Sequence, residues 1–147
     1  MTAFSTRKKL PYTADQLFKL VADVKAYPEF IPGILQTRLE PLSSQAFKAW
    51  IRFGNSLFQD EYLCQVELTP FESITIQGVE GPFTHLNSQW TFAPDPQGGE
   101  TMVKFSVDFE FKNKFLQRFG GPVFYQLTQR MMKAFEDRAR VIYPRLS

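Results

Sequence analysis

Hydrophobic and polar positions along this chain change period twice. Leu17, Phe18, Val21 and Val24 recur at helical spacing, which predicts an amphipathic helix over residues 14–24. The preceding "TADQ", Thr13 to Gln16, has the spacing of a capping box, in which two side chains satisfy each other's orphan backbone N–H groups. Residues 3–10 read as a short strand ahead of it. From residue 47 the period is two. "FKAWIRF" (47–53), "YLCQVEL" (62–68), "SITIQG" (73–78), "HLNSQWTF" (85–92) and "VKFSVDFEF" (103–111) alternate apolar with polar, and "DPQGGE" (95–100) has the residues of a hairpin connection. The last of these strands is the strictest: Val103, Phe105, Val107, Phe109 and Phe111 face one way, Lys104, Ser106, Asp108 and Glu110 the other. Such alternation means an antiparallel sheet with one dry face and one wet face.

Two segments punctuate that pattern with proline and glycine. In "VKAYPEFIPG", Val24 to Gly33, Pro28 suits the first position of a second short helix, which Pro32 and Gly33 would close. "GGP", Gly120 to Pro122, is expected to break the chain, with Pro122 starting a final helix. Its apolar stripe would be Phe124, Leu127, Met131, Phe135 and Ile142, widened by Thr128, Ala134 and Arg138. A sheet with one apolar face must be covered, and the long helix is the available lid. The expected fold is α+β, one domain over residues 1–147, with a curved antiparallel sheet wrapped around a long C-terminal helix.

Parity then names the interior. Phe47, Ile51, Tyr62, Val66, Trp90, Phe92, Phe105, Val107 and Phe109 should form its sheet wall, closed by Leu127, Met131 and Phe135. Asp60, Tyr62 and Ser88 are the inward polar positions. A curved sheet closed by one helix leaves a tapering interior that side chains fill wholly or in part, so these residues are core, cavity wall, or both.

Composition adds the aromatic surplus: 16 of the 147 residues are phenylalanine. No apolar run approaches the roughly 18 residues of a membrane span, and the N-terminus lacks the apolar centre of a signal peptide. The single cysteine, Cys64, excludes an internal disulfide and fits a reducing compartment. The expected compartment is the cytoplasm, with the inner face of the cell membrane as the site of any peripheral contact. Net charge is +2 but uneven. Residues 112–147 carry Lys112, Lys114, Arg118, Arg130, Lys133, Arg138, Arg140 and Arg145 against Glu136 and Asp137. An anionic lipid or RNA partner would account for that, and so would a solvated helix face.

Catalytic and metal-binding signals are weak. His85 falls on a polar face, Cys64 has no histidine near it in sequence, and no phosphate loop, dinucleotide fingerprint, nucleophile elbow or metal-ligand cluster occurs. The pattern argues for binding over covalent chemistry, with no cofactor and no catalytic residue. A cyclase-like or hydrolytic enzyme would require Asp60, Tyr62 and His85 to converge.

The motifs "LVADVKAYPEFIPG", "GPFTHLNSQWTF" and "VDFEFKNKF" followed by "FYQLTQRMMKAFEDRARVIY" resemble the START-like, or helix-grip, superfamily, and within it the coenzyme Q-binding subfamily that includes the bacterial ribosome-association toxins. The similarity runs from about Leu10 to Tyr143. It implies a ubiquinone-binding carrier or chaperone that supports respiration, with the quinone as bound ligand. In such a fold the short helices lie at one cavity mouth, so Tyr27, Phe30 and Ile31 are either an apolar rim, which stays partly exposed, or anchors into the core. Many respiratory members carry Trp-Cys after the second proline of the Tyr-Pro motif. Gly33 and Ile34 stand there instead, which looks more like the ribosome-association branch, for which a role in blocking subunit joining has been proposed. A ribosomal partner therefore stands beside an isoprenoid quinone or other lipid, and DNA is not expected. Lipid delivery would require transient contact with an anionic membrane surface. "KNKFLQRFGGP" offers Lys114 and Arg118 beside Phe115, Leu116 and Phe119, with Gly120 and Gly121 allowing the segment to move as a gate. Its alternative is a connector packed on the sheet edge.

Overall fold

A computed structural model describes residues 2–143, so Arg145 of the basic C-terminal segment lies outside the described residues. The strands are β1 (Thr2–Leu10), β2 (Ile34–Ser43), β3 (Ala46–Gly54), β4 (Gln59–Thr69), β5 (Ser73–Glu80), β6 (Phe83–Pro94) and β7 (Thr101–Phe111). Helix α1 (Ala14–Ala22) and a 3-10 helix (Val24–Glu29) follow β1, and α2 (Lys114–Ile142) follows β7. The strands form one sheet in the order β1-β7-β6-β5-β4-β3-β2, antiparallel at every pairing, curved around α2 in the helix-grip arrangement.

The period of two decides which face is dry. On β7 the positions Val103, Phe105, Val107, Phe109 and Phe111 are buried, while Lys104, Ser106 and Glu110 are exposed. Ile51, Tyr62, Val66, Trp90 and Phe92 are buried as their parity requires; Phe47, near the β2–β3 turn, is half-buried. Each large side chain removed from water contributes roughly 1.5–3 kcal/mol, so a one-residue slip, which would turn the whole set outward, is strongly disfavoured. The capping box of α1 is reciprocal: Gln16 N–H donates to Thr13 Oγ1 and Thr13 N–H to Gln16 Oε1, each at 3.0 Å.

Four elements depart from the pattern. The first helix stops at Ala22, and the 3-10 helix that begins at Val24 contains Pro28 as its fifth residue, not its first. A 3-10 turn bonds N–H to the carbonyl three residues back, so Pro28 leaves the Lys25 carbonyl without its partner; the Thr37 hydroxyl of β2 approaches that oxygen at 3.4 Å and Val24 O at 3.1 Å. Second, β2 has no strict alternation to betray it. It is an edge strand with irregular register at both ends, which is where a strand tolerates a residue like Pro41.

Third, α2 starts at Lys114 and runs straight through Gly120-Gly121-Pro122. Asn113 caps it, its Oδ1 accepting the Leu116 N–H at 2.8 Å. A proline inside a helix normally collides with the Cβ of the residue before it, and Gly121 has none. Gly120 serves packing: a Cβ there would lie 2.8 Å from Phe58 Cζ and 3.0 Å from Phe111 Cε1. Both glycines are thus helical and built into the core side of α2. Fourth, Ile142 is 45% exposed, because the helix outruns the sheet, and Met132 and Ala139 take buried places on α2 while Met131 is half-buried.

Gly54 closes β3 with φ +144°, and its N–H donates to Gly33 O at 2.9 Å, tying the segment after the 3-10 helix to the sheet. A Cβ on Gly54 would run into the Phe58 carbonyl and lie 2.7 Å from Gln59 Cα, both backbone atoms. Gly54→Ala should therefore cost roughly 2–4 kcal/mol, strain and overpacking together. Urea unfolding would show a lower midpoint with the slope retained; an unchanged midpoint would mean that the β3–β4 turn rearranges freely.

Candidate functional site

Rings close the space between sheet and α2 at two levels and leave a waist between them. At one level Phe124 meets Phe53, Phe83 and Phe109, with ring centroids 5.1, 4.8 and 4.8 Å away. At the other, Phe135 meets Tyr27, Phe30 and Trp90 at 5.4, 5.4 and 5.1 Å. These two helix residues are eleven positions apart, about 16 Å along the axis. Between them the walls carry smaller side chains, Ile51, Cys64, Val66, Ile76, Leu86, Ser88 and Val107 from the sheet and Leu127, Thr128 and Met131 from α2. They line a cavity of about 50 Å³, completed by Val24, Tyr27, Ile34, Tyr62, Trp90, Phe105 and Phe124.

Ten of the residues expected at a ligand site do line this cavity: Tyr27, Ile51, Tyr62, Val66, Ser88, Trp90, Phe105, Val107, Leu127 and Met131. Phe109 and Phe135 belong to the ring clusters, and Phe47 sits away from the waist. Tyr27 and Ile31 are buried, hence anchors and not a partly exposed rim, although Tyr27 reaches the cavity. Phe30 is half-buried and faces an outer groove, under the Arg138 guanidinium at 4.9 Å from its ring centre. Asp60, expected inward, is half-buried outside the lining and accepts the Glu61 N–H at 2.7 Å. His85 lies by Asp108, Nε2 to Oδ1 3.5 Å, on the outer face. Asp60, Tyr62 and His85 therefore do not converge. Cys64, Leu86, Phe124 and Thr128 were legible as lining from parity or stripe; Ile34 was not, since it opens the unpredicted strand.

The polar groups in the wall are neutral. The Tyr27 hydroxyl donates to Val21 O, and Thr128 Oγ1 donates to Tyr125 O at 2.7 Å. The indole N–H of Trp90 is buried with no acceptor among the described residues. Burial pushes the Cys64 thiol up to about 12 and, with the nearby Cys64 sulfur, holds the Tyr27 and Tyr62 hydroxyls above the usual phenol range. An apolar chamber holding uncharged donors suits an uncharged, largely apolar molecule. Outside the chamber, the start of α2 exposes Phe115 by 66% and Phe119 by 49%, their rings 4.9 Å apart. Leu116 is half-buried, Lys114 and Arg118 are exposed, and Leu57 of the β3–β4 turn, which shares a groove with Arg118 and Phe119, is 91% exposed. Among the described residues no helix is long and apolar enough to cross a membrane.

Comparison with known proteins agrees with this architecture. The profile described as "Polyketide cyclase / dehydrase and lipid transport" matches residues 10–136. The chain is 33% identical to the ribosome association toxin RatA of Escherichia coli K12, over 97% of this chain and 90% of that protein. It is 26% identical to the mitochondrial coenzyme Q-binding protein COQ10 homolog B of Xenopus laevis, over 97% of this chain and 59% of that one. A START superfamily protein from Mycobacterium smegmatis has the same fold, with TM-score 0.77 at 17% identity, covering 96% of this chain and 99% of the other.

The buried thiol gives the site a measurable pH signature. In the unfolded chain Cys64 loses its proton near its ordinary value of 9.0, whereas the folded protein keeps it to about 12. Its contribution is whole below pH 9 and falls as pH rises through that window, by up to about 1.4 kcal/mol per pH unit. Urea unfolding at pH 8, 9 and 10 should thus show wild type losing stability faster than Cys64→Ala; parallel curves would place the thiol in contact with water.

Proposed function

The chain belongs to the polyketide cyclase / dehydrase and lipid transport family of START-like proteins, and from that premise we propose that it binds ubiquinone or a related isoprenoid lipid between sheet and helix and carries it in support of respiration. The observation that carries this reading is the mostly apolar waist between sheet and helix, whose polar groups are uncharged. A quinone is neutral, apolar over most of its surface, and accepts hydrogen bonds, so it matches that wall. No lining group is tuned to exchange protons near neutral pH, which supports a carrier and not an enzyme.

Size sets a condition on binding. Pockets that bury drug-sized ligands hold about 300–1,000 Å³, against about 50 Å³ here. The ligand must therefore displace α2 side chains from the sheet. Met131 is the readiest to give way, being half-buried and unbranched with soft rotamers.

Delivery calls for a membrane surface, and the start of α2 supplies one candidate contact in Phe115, Leu116 and Phe119 with Lys114 and Arg118. Lys114 stands in the first helical turn, where no acidic residue stands and where the helix dipole disfavours a cation by about 0.3–1 kcal/mol. Anionic headgroups would reverse that penalty. A second reading, association with the large ribosomal subunit and interference with subunit joining, is favoured by Gly33 and by the likeness to a ribosome association toxin of Escherichia coli. Gly33 has φ +101°, and a Cβ there would come 3.2 Å from Leu127 Cδ1.

Lipid extraction of the purified protein followed by mass spectrometry should recover an isoprenoid quinone. Val107→Leu, which fills the waist, should retain severalfold less of it while unfolding at nearly the wild-type midpoint. A folded variant that retains as much would move the lipid elsewhere, and a ligand-free protein that sediments with large ribosomal subunits would favour the second reading.

For membrane contact, vesicles of phosphatidylcholine with phosphatidylglycerol should bind the protein at low ionic strength and release it as salt rises. Phe119→Ala with Lys114→Ala should weaken binding roughly tenfold. Equal binding by wild type and double variant would remove this segment from the membrane.

A further inference from the structure

Trp90 stands out among the residues around the waist because it holds an unmet demand. It is 0% exposed, and its register on β6 sets it opposite Phe105 of β7 and Ile74 of β5. Phe105 stacks on the indole at 4.4 Å with planes 28° apart, and Phe135 of α2 meets it edge-on at 5.1 Å. An indole held on two sides cannot swing its N–H toward solvent. That N–H is a donor and nothing else, and it has no acceptor among the described residues. Two other donors of the wall, Tyr27 and Thr128, give their protons to backbone carbonyls. Buried polar groups in native proteins nearly always find a partner, and one left unpaired calls for a reason.

We infer that the Trp90 indole N–H is the polar anchor of the cavity, donating to an acceptor oxygen on an otherwise apolar ligand. The inference rests on the reading of the waist as a ligand site and narrows it to a chemical class. A bare hydrocarbon fills the volume and leaves the donor unmet. A molecule with a carbonyl or ether oxygen at its head satisfies it, with Ser88, two residues along the same face of β6 and also in the wall, flanking the position. The role is invisible to apolar bookkeeping, since Trp90 counts there only as a large buried side chain.

A matched pair of probes separates this role from packing. Decyl-benzoquinone and decylbenzene have the same tail and similar ring sizes, and only the first carries acceptor oxygens. Wild-type protein, titrated with each from cyclodextrin, should bind the quinone more tightly. Trp90→Phe keeps an aromatic ring in the wall and should weaken quinone binding roughly three- to tenfold, with decylbenzene binding little changed. Because the larger void left by phenylalanine could itself disturb folding, the wild-type protein gives a second readout. Its two tryptophans supply two indole N–H signals in proton–nitrogen spectra. The Trp90 signal should move downfield with the quinone and not with decylbenzene, while Trp50, on the other face of β3, stays fixed. Equal losses of both probes in Trp90→Phe, or an indole proton unmoved by bound quinone, would overturn the anchor and leave the ligand site standing. A wild-type protein that binds neither probe would overturn the ligand site, and the anchor with it.

Discussion

The apolar face of a seven-stranded sheet cannot be left in water, and one helix covers it. Every other feature depends on that contact. Strand register is pinned because a slip would turn Phe105, Val107 and Phe109 outward together. The length of α2 follows from the span of sheet to be covered, and its Gly120 follows from how near Phe58 and Phe111 come to it. Curvature of the sheet around a single helix also means that the two surfaces cannot meet everywhere at the same distance.

The mismatch is resolved unevenly. Phenylalanine, tyrosine and tryptophan fill both ends, where ring meets ring edge-to-face at separations that add to plain area burial. Valine, cysteine and serine occupy the waist and leave a void there. Well-packed cores rarely keep such voids, because the lining loses dispersion contacts without gaining hydration. A small void flanked by aromatic clusters, with an unmet donor in its wall, is the feature on which the proposed ligand site rests. The low polarity of this wall also keeps Cys64 protonated, because burial penalises the thiolate.

The period-two strands, the dry face and the covering helix were readable because each depends on residues two or four apart on one element. "VKFSVDFEF" announces its own buried side wherever it is placed. The proline and glycine signals were less reliable guides. Pro28 and Pro122 were expected at helix starts, as local propensity has it, yet both sit inside helices. Thr37 approaches the carbonyl that Pro28 leaves open, and Gly121 brings no Cβ against the ring of Pro122. Those remedies come from a neighbouring strand in one case and from a missing Cβ in the other.

What the chain by itself determined is which side chains face inward, since alternation is a local property that survives any arrangement of neighbours. Which inward residues pack and which line a cavity was decided only by the tertiary structure. Phe109 and Val107 share one face of one strand; the first is locked among rings and the second borders empty space, because different parts of α2 lie above them. Asp60 has inward parity yet stays out of the lining, and Phe30 turns to an outer groove. The unpaired N–H of Trp90 belongs to the same class of fact. A hydrogen bond is made or missed over about 3 Å, and what lies within that distance of a buried indole is set by three strands and a helix converging from distant parts of the sequence.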